Sequence, residues 1–219
     1  MSRIARIIVP GEPHHIVQRG NRGLPVFFCD DDYRYYMEVM RKWCDKHSIT
    51  ILAYCLMTNH VHLIAVPETE DGLRRAIGEA HRRYTVRVNR REQWIGHLWQ
   101  GRFSSFAMDE SYLLAAARYI ELNPVKAGMV ENPADYQWSS ARAHLAKEDD
   151  QFVETAPLLK LVPNWGRFLS EAEDDDVQAK LCQHERTGRP LGDENFFDRI
   201  NELLGKDVRP KKPGRKKKK

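Results

Sequence analysis

Two consecutive predicted strands constrain the fold of this 219-residue chain most strongly. The stretch Ile49-Thr50-Ile51-Leu52-Ala53-Tyr54-Cys55-Leu56-Met57 is largely apolar, which favours a central strand. Thr58-Asn59 then forms a tight turn into a strand that begins at His60. The pair predicts an antiparallel hairpin. Because side chains alternate along a strand, Val61 faces a core while the flanking histidines face the other side.

His60 and His62 therefore lie on one face of the predicted strand. Their backbone positions are roughly 6.5–7 Å apart, so both imidazoles can converge on one metal ion. The alternative is a pair of histidines on a half-exposed strand that binds nothing, because such short patterns also occur by chance. The remaining motifs have to decide between the two interpretations.

The elements around the hairpin alternate in type. A stripe of apolar residues at helical spacing indicates each helix, and Pro124 is expected to end the last one at Asn123. The order strand, helix, strand, strand, helix, strand, helix is typical of a ferredoxin-like α+β fold with a mostly antiparallel sheet. Besides the hairpin, the predicted elements are strands at 14–18 and 103–108 and helices at 33–46, 72–89 and 110–123.

The pattern changes after this unit, so we predict three regions. Residues 1–146 form the ferredoxin-like domain, and a charged linker follows at 147–151. We predict that residues 152–205 form short helices that contact DNA. Two of these helices flank a glycine turn, which suggests a helix-turn-helix DNA-binding motif; an accessory packing segment is the alternative. Residues 206–219 form a basic tail.

Charge and composition narrow the function classes. The last eleven residues carry eight cations and no acid, whereas the whole chain has a net charge of +4, so the remainder is mildly acidic. Such a tail is typical of nucleic-acid binding through phosphate contacts, and a solvated solubility tail is the alternative. The sequence contains no apolar run long enough for a membrane helix, no signal-peptide pattern and no Cys-x-x-Cys pair. We expect a reduced, cytoplasmic protein that associates with the nucleoid.

Basic residues recur at several other places. A glycine-rich basic turn follows the first strand, an arginine-rich face runs along the second predicted helix, and aromatic and cationic residues interleave before the fourth strand. The alternatives are that the turn is an ordinary exposed loop, that the helix face is only solvated, and that the aromatics are buried in the core. The candidate DNA-binding residues are Arg19, Asn21, Arg22, Arg83, Arg87, Trp99, Arg102, Lys211, Lys212 and Arg215.

The last predicted helix supplies a candidate nucleophile, Tyr119. A metal held by His60 and His62 can polarise a phosphate oxygen, and a tyrosine hydroxyl can then attack the phosphorus. Asn123 lies one turn after Tyr119, so its amide oxygen is a candidate third ligand. Tyr112 is a competing tyrosine on a similar face, and a core helix tyrosine is the other reading of Tyr119.

Three motifs together resemble a known family. They are Asn59-His60-Val61-His62-Leu63, Leu98-Trp99-Gln100-Gly101-Arg102-Phe103 and Arg118-Tyr119-Ile120-Glu121-Leu122-Asn123-Pro124-Val125. In order and spacing they resemble the HUH single-tyrosine transposases, and most of all the REP-associated tyrosine transposases. The resemblance covers about residues 10 to 145. Many relatives have glutamine one turn after the tyrosine, where this chain has Asn123.

The resemblance implies an HUH endonuclease fold and a divalent cation, Mg²⁺ or Mn²⁺, held by the two histidines. It implies cleavage of single-stranded DNA beside hairpins, with Tyr119 forming a 5′-phosphotyrosine that allows strands to be rejoined. We therefore predict a metal-dependent DNA endonuclease and transposase, acting as a monomer or homodimer. Two alternatives stay open: a hairpin-DNA-binding regulator that does not cut, and a metal phosphodiesterase that uses water in place of Tyr119.

Overall fold

A computed structural model describes residues 6–172 and 174–209 of the chain. Four strands form one sheet in the order β2-β3-β1-β4, with all neighbours antiparallel. This arrangement confirms the predicted α+β class, the antiparallel sheet and the central hairpin. The strands are β1 (His14–Arg19), β2 (Ile49–Met57), β3 (His60–Pro67) and β4 (Ser104–Ala107).

Helices cover both faces of the sheet. The face that carries Val61 and Leu63 packs against α1 and α2, and the face that carries Ile64 packs against α3 and helices from the C-terminal region. The helices are α1 (Asp30–Lys46), α2 (Gly72–Glu92), α3 (Glu110–Lys126), α4 (Ala141–Ala146), α5 (Ala156–Leu161), α6 (Trp165–Ser170), α7 (Asp175–Thr187) and α8 (Glu194–Leu204).

Helix α3 runs past Pro124, so the predicted end at Asn123 is wrong. Proline lacks a backbone N–H, and it disfavours but does not forbid the helical conformation of the residue before it. Pro124 lies in the last turn, so only Val125 and Lys126 follow the hydrogen bond that its missing N–H removes. The end is completed by Ala127 N–H, which donates to the Asn123 carbonyl at 3.0 Å.

The C-terminal helices pack on the sheet domain. Leu158, Trp165 and Leu181 belong to the same hydrophobic core as α3, and Phe196 of α8 packs with Val9 near the N-terminus. This packing agrees with the accessory interpretation of the helix pair. The division at residue 146 and a DNA-contacting role for residues 152–205 stay predictions.

No helix within residues 6–172 and 174–209 is both long and apolar enough to cross a membrane.

Candidate functional site

The candidate site lies where β1 ends and β3 begins. The antiparallel register pairs Arg19 with His60 and Val17 with His62. After β1 the chain turns sharply at Gly20, where an added Cβ would lie 2.1 Å from the Leu24 carbonyl oxygen, so only glycine fits this turn. The Asn59 side chain donates to the Gly23 carbonyl at 3.1 Å, which ties this basic turn to the histidine strand.

Both predicted histidines lie on the α3 side of the sheet, with ring centroids 5.0 Å apart. They differ in their surroundings. His60 is partly exposed, and its Nδ1 is 2.6 Å from the Asn59 side-chain oxygen. His62 is fully buried, and its Nε2 has no hydrogen-bond partner among the described residues. An unpartnered buried nitrogen is costly, so this atom is suited to bind a ligand that is not a protein group.

Sequence reasoning missed a third histidine, His15. Its Nε2 lies 3.0 Å from His62 Nδ1, and both rings are fully buried. If His62 Nδ1–H donates to His15, the His62 Nε2 lone pair is free to bind a cation, and His15 fixes that tautomer. The signal was available in principle: in the antiparallel β1–β3 pair, His15 lies opposite Ile64 and so is a diagonal neighbour of His62.

These imidazoles are neutral near pH 7. Burial lowers the pKa of His15 to about 3, and burial together with Arg19 lowers the pKa of His60 to about 4. Burial lowers the pKa of His62 well below its usual value, and the neighbouring His15 and His60 lower it further. Neutral imidazole is the form that binds a divalent cation, so the protonation state of these donors fits the predicted metal.

Tyr119 of α3 lies beside these rings. Its ring meets His62 edge-on with centroids 5.6 Å apart and meets His15 at 6.4 Å. Burial, together with nearby Glu185 and Cys182, raises the pKa of Tyr119 to about 12, and Arg19 opposes that shift. The phenol therefore carries its proton at neutral pH. Arg19 lowers that pKa and so favours loss of the proton.

The competing tyrosine has different surroundings. The Tyr112 hydroxyl accepts a hydrogen bond from Lys180 at 3.3 Å, and the described ring contacts place Tyr119, not Tyr112, against His15 and His62. Asn123 is one turn beyond Tyr119, and its Nδ2 is buried without a partner in the described part of the chain.

Helix α7 contributes a carboxylate, Glu185, that the sequence analysis did not single out. One ring nitrogen each of His15 and His62 and one oxygen of Glu185 lie within 4.8 Å of one another. Glu185 Oε2 is 3.7 Å from the Arg19 guanidinium, and its Oε1 is buried without a partner in the described residues. Burial raises the pKa of Glu185 to about 7, and Arg19 and Arg186 oppose that shift.

A cleft of about 340 Å³ opens beside this cluster. Three arginines line it, Arg19, Arg102 and Arg186, together with Cys182 and Glu185. Two of the arginines are predicted DNA-binding residues, and the guanidinium group suits a phosphate. A larger cleft of about 960 Å³ between α1 and residues 137–152 contains none of the histidines and mixes cations with acids, so its lining offers no comparable excess of positive charge.

The structure corrects the role predicted for Trp99. Its side chain is only 6% exposed, and its Nε1–H donates to the His81 carbonyl at 3.4 Å. A ring held in the core has no free face for a base. Trp94 and Phe28 are exposed instead, at 49% and 43%, with ring centroids 5.6 Å apart.

The remaining predicted DNA-binding residues lie elsewhere. Asn21 and Arg22 are in the turn after β1. Arg83 and Arg87 line a groove of about 700 Å³ on α1 and α2, on the sheet face opposite Tyr119. Arg83 stacks over Trp43 and Arg87 over Tyr35. Lys211, Lys212 and Arg215 lie outside the described residues.

Comparison with known proteins defines the class to which this fold and site belong. The family model for IS200-like transposases matches residues 13–123, which include His15, the β3 histidines, Tyr119 and Asn123. The chain belongs to the IS200-like transposase family. This membership agrees with the predicted transposase function.

One relative and one solved structure are also similar to this chain. The chain is 26% identical over 129 residues to a Haemophilus influenzae protein named, provisionally, a REP-associated tyrosine transposase; the match covers 52% of this chain and 73% of the relative. It also resembles, at 20% identity and a TM-score of 0.54, the structure of a REP-associated tyrosine transposase bound to a REP hairpin, over 70% of this chain and 92% of that one. These similarities confirm the resemblance predicted from the motifs, and the structural match supports the fold.

Proposed function

We propose that this protein is a divalent-cation-dependent endonuclease and transposase that cuts and rejoins single-stranded DNA beside hairpins. The observation that carries the proposal is the edge contact of Tyr119 with His62, next to a cleft lined by three arginines. A nucleophile, a candidate cation site and phosphate-binding groups are then adjacent, as strand cleavage requires.

The chain's own groups divide the chemistry among them. Tyr119 Oη attacks the scissile phosphorus, its proton passes to water, and the bond from phosphorus to the 3′ oxygen breaks. The products are a 5′-phosphotyrosine and a free 3′-hydroxyl, and attack by a 3′-hydroxyl reverses the step to join strands. Arg19 and Arg102 hold the phosphate and favour the charge that develops on it.

The predicted cation is Mg²⁺ or Mn²⁺, held by His60 and His62 with Asn123 as a candidate third ligand. When bound, it would polarise a phosphate oxygen and offset charge in the transition state. The buried, unpartnered His62 Nε2 supports this assignment because a neutral imidazole nitrogen with no protein partner is a ready ligand.

We propose a hairpin of single-stranded DNA as the substrate, by analogy with the relative whose structure contains a REP hairpin. Asn21, Arg22 and Arg102 would contact the strand near the cleft. Arg83 and Arg87 face the other side of the sheet, so they would contact a separate segment such as the duplex stem. The cations of the tail, Lys211, Lys212 and Arg215, would add phosphate contacts that do not depend on sequence. Acting on chromosomal DNA, the protein would work in the cytoplasm at the nucleoid, as a monomer or homodimer.

The test uses a hairpin oligonucleotide labelled at its 3′ end, with Mn²⁺ or Mg²⁺. Attack by Tyr119 leaves the labelled fragment on the protein, so a denaturing gel resolves a covalent adduct. Tyr119→Phe should abolish the adduct, whereas Tyr112→Phe, a matched change on the same helix, should retain it. His60→Ala should abolish cleavage while hairpin binding persists.

Two outcomes would replace the proposal. Tight hairpin binding by the unmodified protein without nick or adduct would indicate a regulator that does not cut. Nicking that survives Tyr119→Phe would indicate a phosphodiesterase that uses water.

A further inference from the structure

Helix α7 reaches the candidate site from outside the family-matched segment 13–123. Two caps define its length: the Asp174 side chain accepts from backbone N–H groups at the start, and Gly188, with φ of 64°, ends it. Leu181 is fully buried in the core shared with α3, and the Ser104 hydroxyl donates to the Glu185 carbonyl. The helix is therefore anchored on the sheet at the position of Glu185.

The carboxylate of Glu185 is under-satisfied there. Its side chain is 11% exposed, Arg19 approaches only one oxygen at 3.7 Å, and Oε1 has no partner in the described structure. A buried carboxylate oxygen without a donor destabilises the folded state, because it has lost its hydration and gained no hydrogen bond in return. A positive ligand at Oε1 would remove that cost.

The neighbouring histidines also have buried ring nitrogens without hydrogen-bond partners among the residues that the structure describes. His15 Nδ1 and His62 Nε2 also lack partners within the described chain. A nitrogen of each ring and an oxygen of Glu185 lie within 4.8 Å of one another. Two ligands on opposite sides of one cation are about 4–4.4 Å apart, given bond lengths of about 2.0–2.2 Å, so side-chain shifts of a few tenths of an ångström would let Glu185 and His62 share one cation.

The hydrogen bond between the two histidines assigns their roles. The bonded atoms, His15 Nε2 and His62 Nδ1, are engaged with each other at 3.0 Å, so His62 offers the cation its free Nε2. His15 then acts as a positioning residue that holds the His62 ring and its tautomer.

We propose that Glu185 is a carboxylate ligand of the cation, so that cation binding and the docking of α7 are energetically coupled. This inference rests on the cation site of the proposed function and deepens it. The site would be assembled from two parts of the chain, imidazoles from the family-matched sheet and a carboxylate from the C-terminal helical region.

The experiment measures Mn²⁺ binding to the full-length, DNA-free protein by isothermal titration calorimetry and by the electron paramagnetic resonance of free Mn²⁺. Glu185→Gln keeps the size and polarity of the side chain but removes the charged ligand oxygen, and should weaken Mn²⁺ affinity at least tenfold. Glu12→Gln is the matched control, because the Glu12 carboxylate also pairs with an arginine, Arg199 at 2.9 Å, and is not part of the His15, His62 and Glu185 group. It should bind Mn²⁺ as the unmodified protein does.

Hydrogen exchange gives a second readout that needs no variant. Mn²⁺ should slow amide exchange in α7 of the unmodified protein if Glu185 binds the ion, and Glu185→Gln should lose this protection. Unchanged Mn²⁺ affinity in Glu185→Gln would overturn the inference, as would Mn²⁺ binding that leaves α7 exchange unaltered. If Glu185→Gln does not fold, two measurements still test whether Glu185 binds the ion. They are Mn²⁺ binding to Glu185→Asp, which keeps the carboxylate, and amide exchange in the unmodified protein.

The two proposals fail separately. Wild-type Mn²⁺ affinity in Glu185→Gln, with a Tyr119-dependent adduct still formed, would remove only the ligand assignment. Loss of Mn²⁺ affinity in Glu185→Gln, with no adduct from the unmodified protein, would leave the cation site and remove the nuclease.

Discussion

The carboxylate of Glu121 joins residues of α4 and α6 to α3, the helix that carries Tyr119. Glu121 is fully buried two residues after that tyrosine. It accepts hydrogen bonds from the Ser140 hydroxyl at 2.5 Å, from His144 Nδ1 at 2.6 Å and from the Trp165 indole N–H at 2.7 Å. The perturbation we consider is Trp165→Phe, which keeps an aromatic ring on α6 but removes its donor.

The loss of the hydrogen bond from Trp165 to Glu121 sets the expected decrease in the free energy of unfolding. Hydrogen bonds to charged groups contribute about 1.5–3 kcal/mol, and Trp165 is only 1% exposed, so water cannot replace its N–H. We expect the free energy of unfolding to fall by about 2 kcal/mol or somewhat more, since the smaller ring also leaves a gap. For a chain of this length, 2 kcal/mol lowers the melting temperature by about 4–8 °C.

Thermal and urea unfolding followed by circular dichroism measure this change. Trp94→Phe is the matched control, because Trp94 is 49% exposed, and its melting temperature should stay near that of the unmodified protein. If the two variants had equal stability, the carboxylate would not be held by the indole, and the reasoning about this buried cluster would be wrong.

Three further predictions concern the cation, pH and the tail. His15→Asn should weaken Mn²⁺ affinity about 10- to 100-fold, measured by calorimetry, because His62 loses the partner that orients it; undiminished affinity would contradict that role. Burial lowers the pKa of His81 in the folded protein to about 3. Between pH 6.5 and 3 the unfolded chain therefore binds one more proton, and the free energy of unfolding decreases as the pH is lowered. His81→Gln should remove about 2 kcal/mol of the stability lost between pH 7 and pH 5, whereas the exposed His97→Gln should not; equal pH profiles would refute the argument. Deleting residues 210–219, which include seven cations, should weaken hairpin binding and flatten its dependence on salt, and an unchanged salt slope would show that the tail makes no phosphate contacts.

Much of the fold could be predicted because it is encoded in local periodicity. The apolar run at Ile49–Met57 and the turn at Thr58-Asn59 predicted the β2–β3 hairpin, which the structure contains. The two-residue period of a strand placed His60 and His62 on one face. The helical period placed Asn123 one turn after Tyr119. Pro124 was misjudged because a preference against helix was treated as a barrier.

The candidate site was predicted less completely, because its members come from segments far apart in the chain. His15 and His62 are hydrogen-bonded although 47 positions separate them. The sequence showed two adjacent histidines in β1 but not which strand would lie beside them. Trp99 lies in a stretch whose composition is typical of base stacking, but it is buried among α1 and α2 residues. No local pattern distinguishes a base-stacking tryptophan from a core tryptophan.

The sequence by itself determined the order of strands and helices, the shared face of the β3 histidines and the position of Tyr119 on its helix. All three depend on spacings within one element, and the geometry of a strand or helix fixes those spacings. Only the tertiary structure decided that β1 lies between β3 and β4, that His15 supports His62, and that Glu185 of α7 reaches the same cluster. These relations depend on which apolar faces are buried together, a property of the whole packed chain.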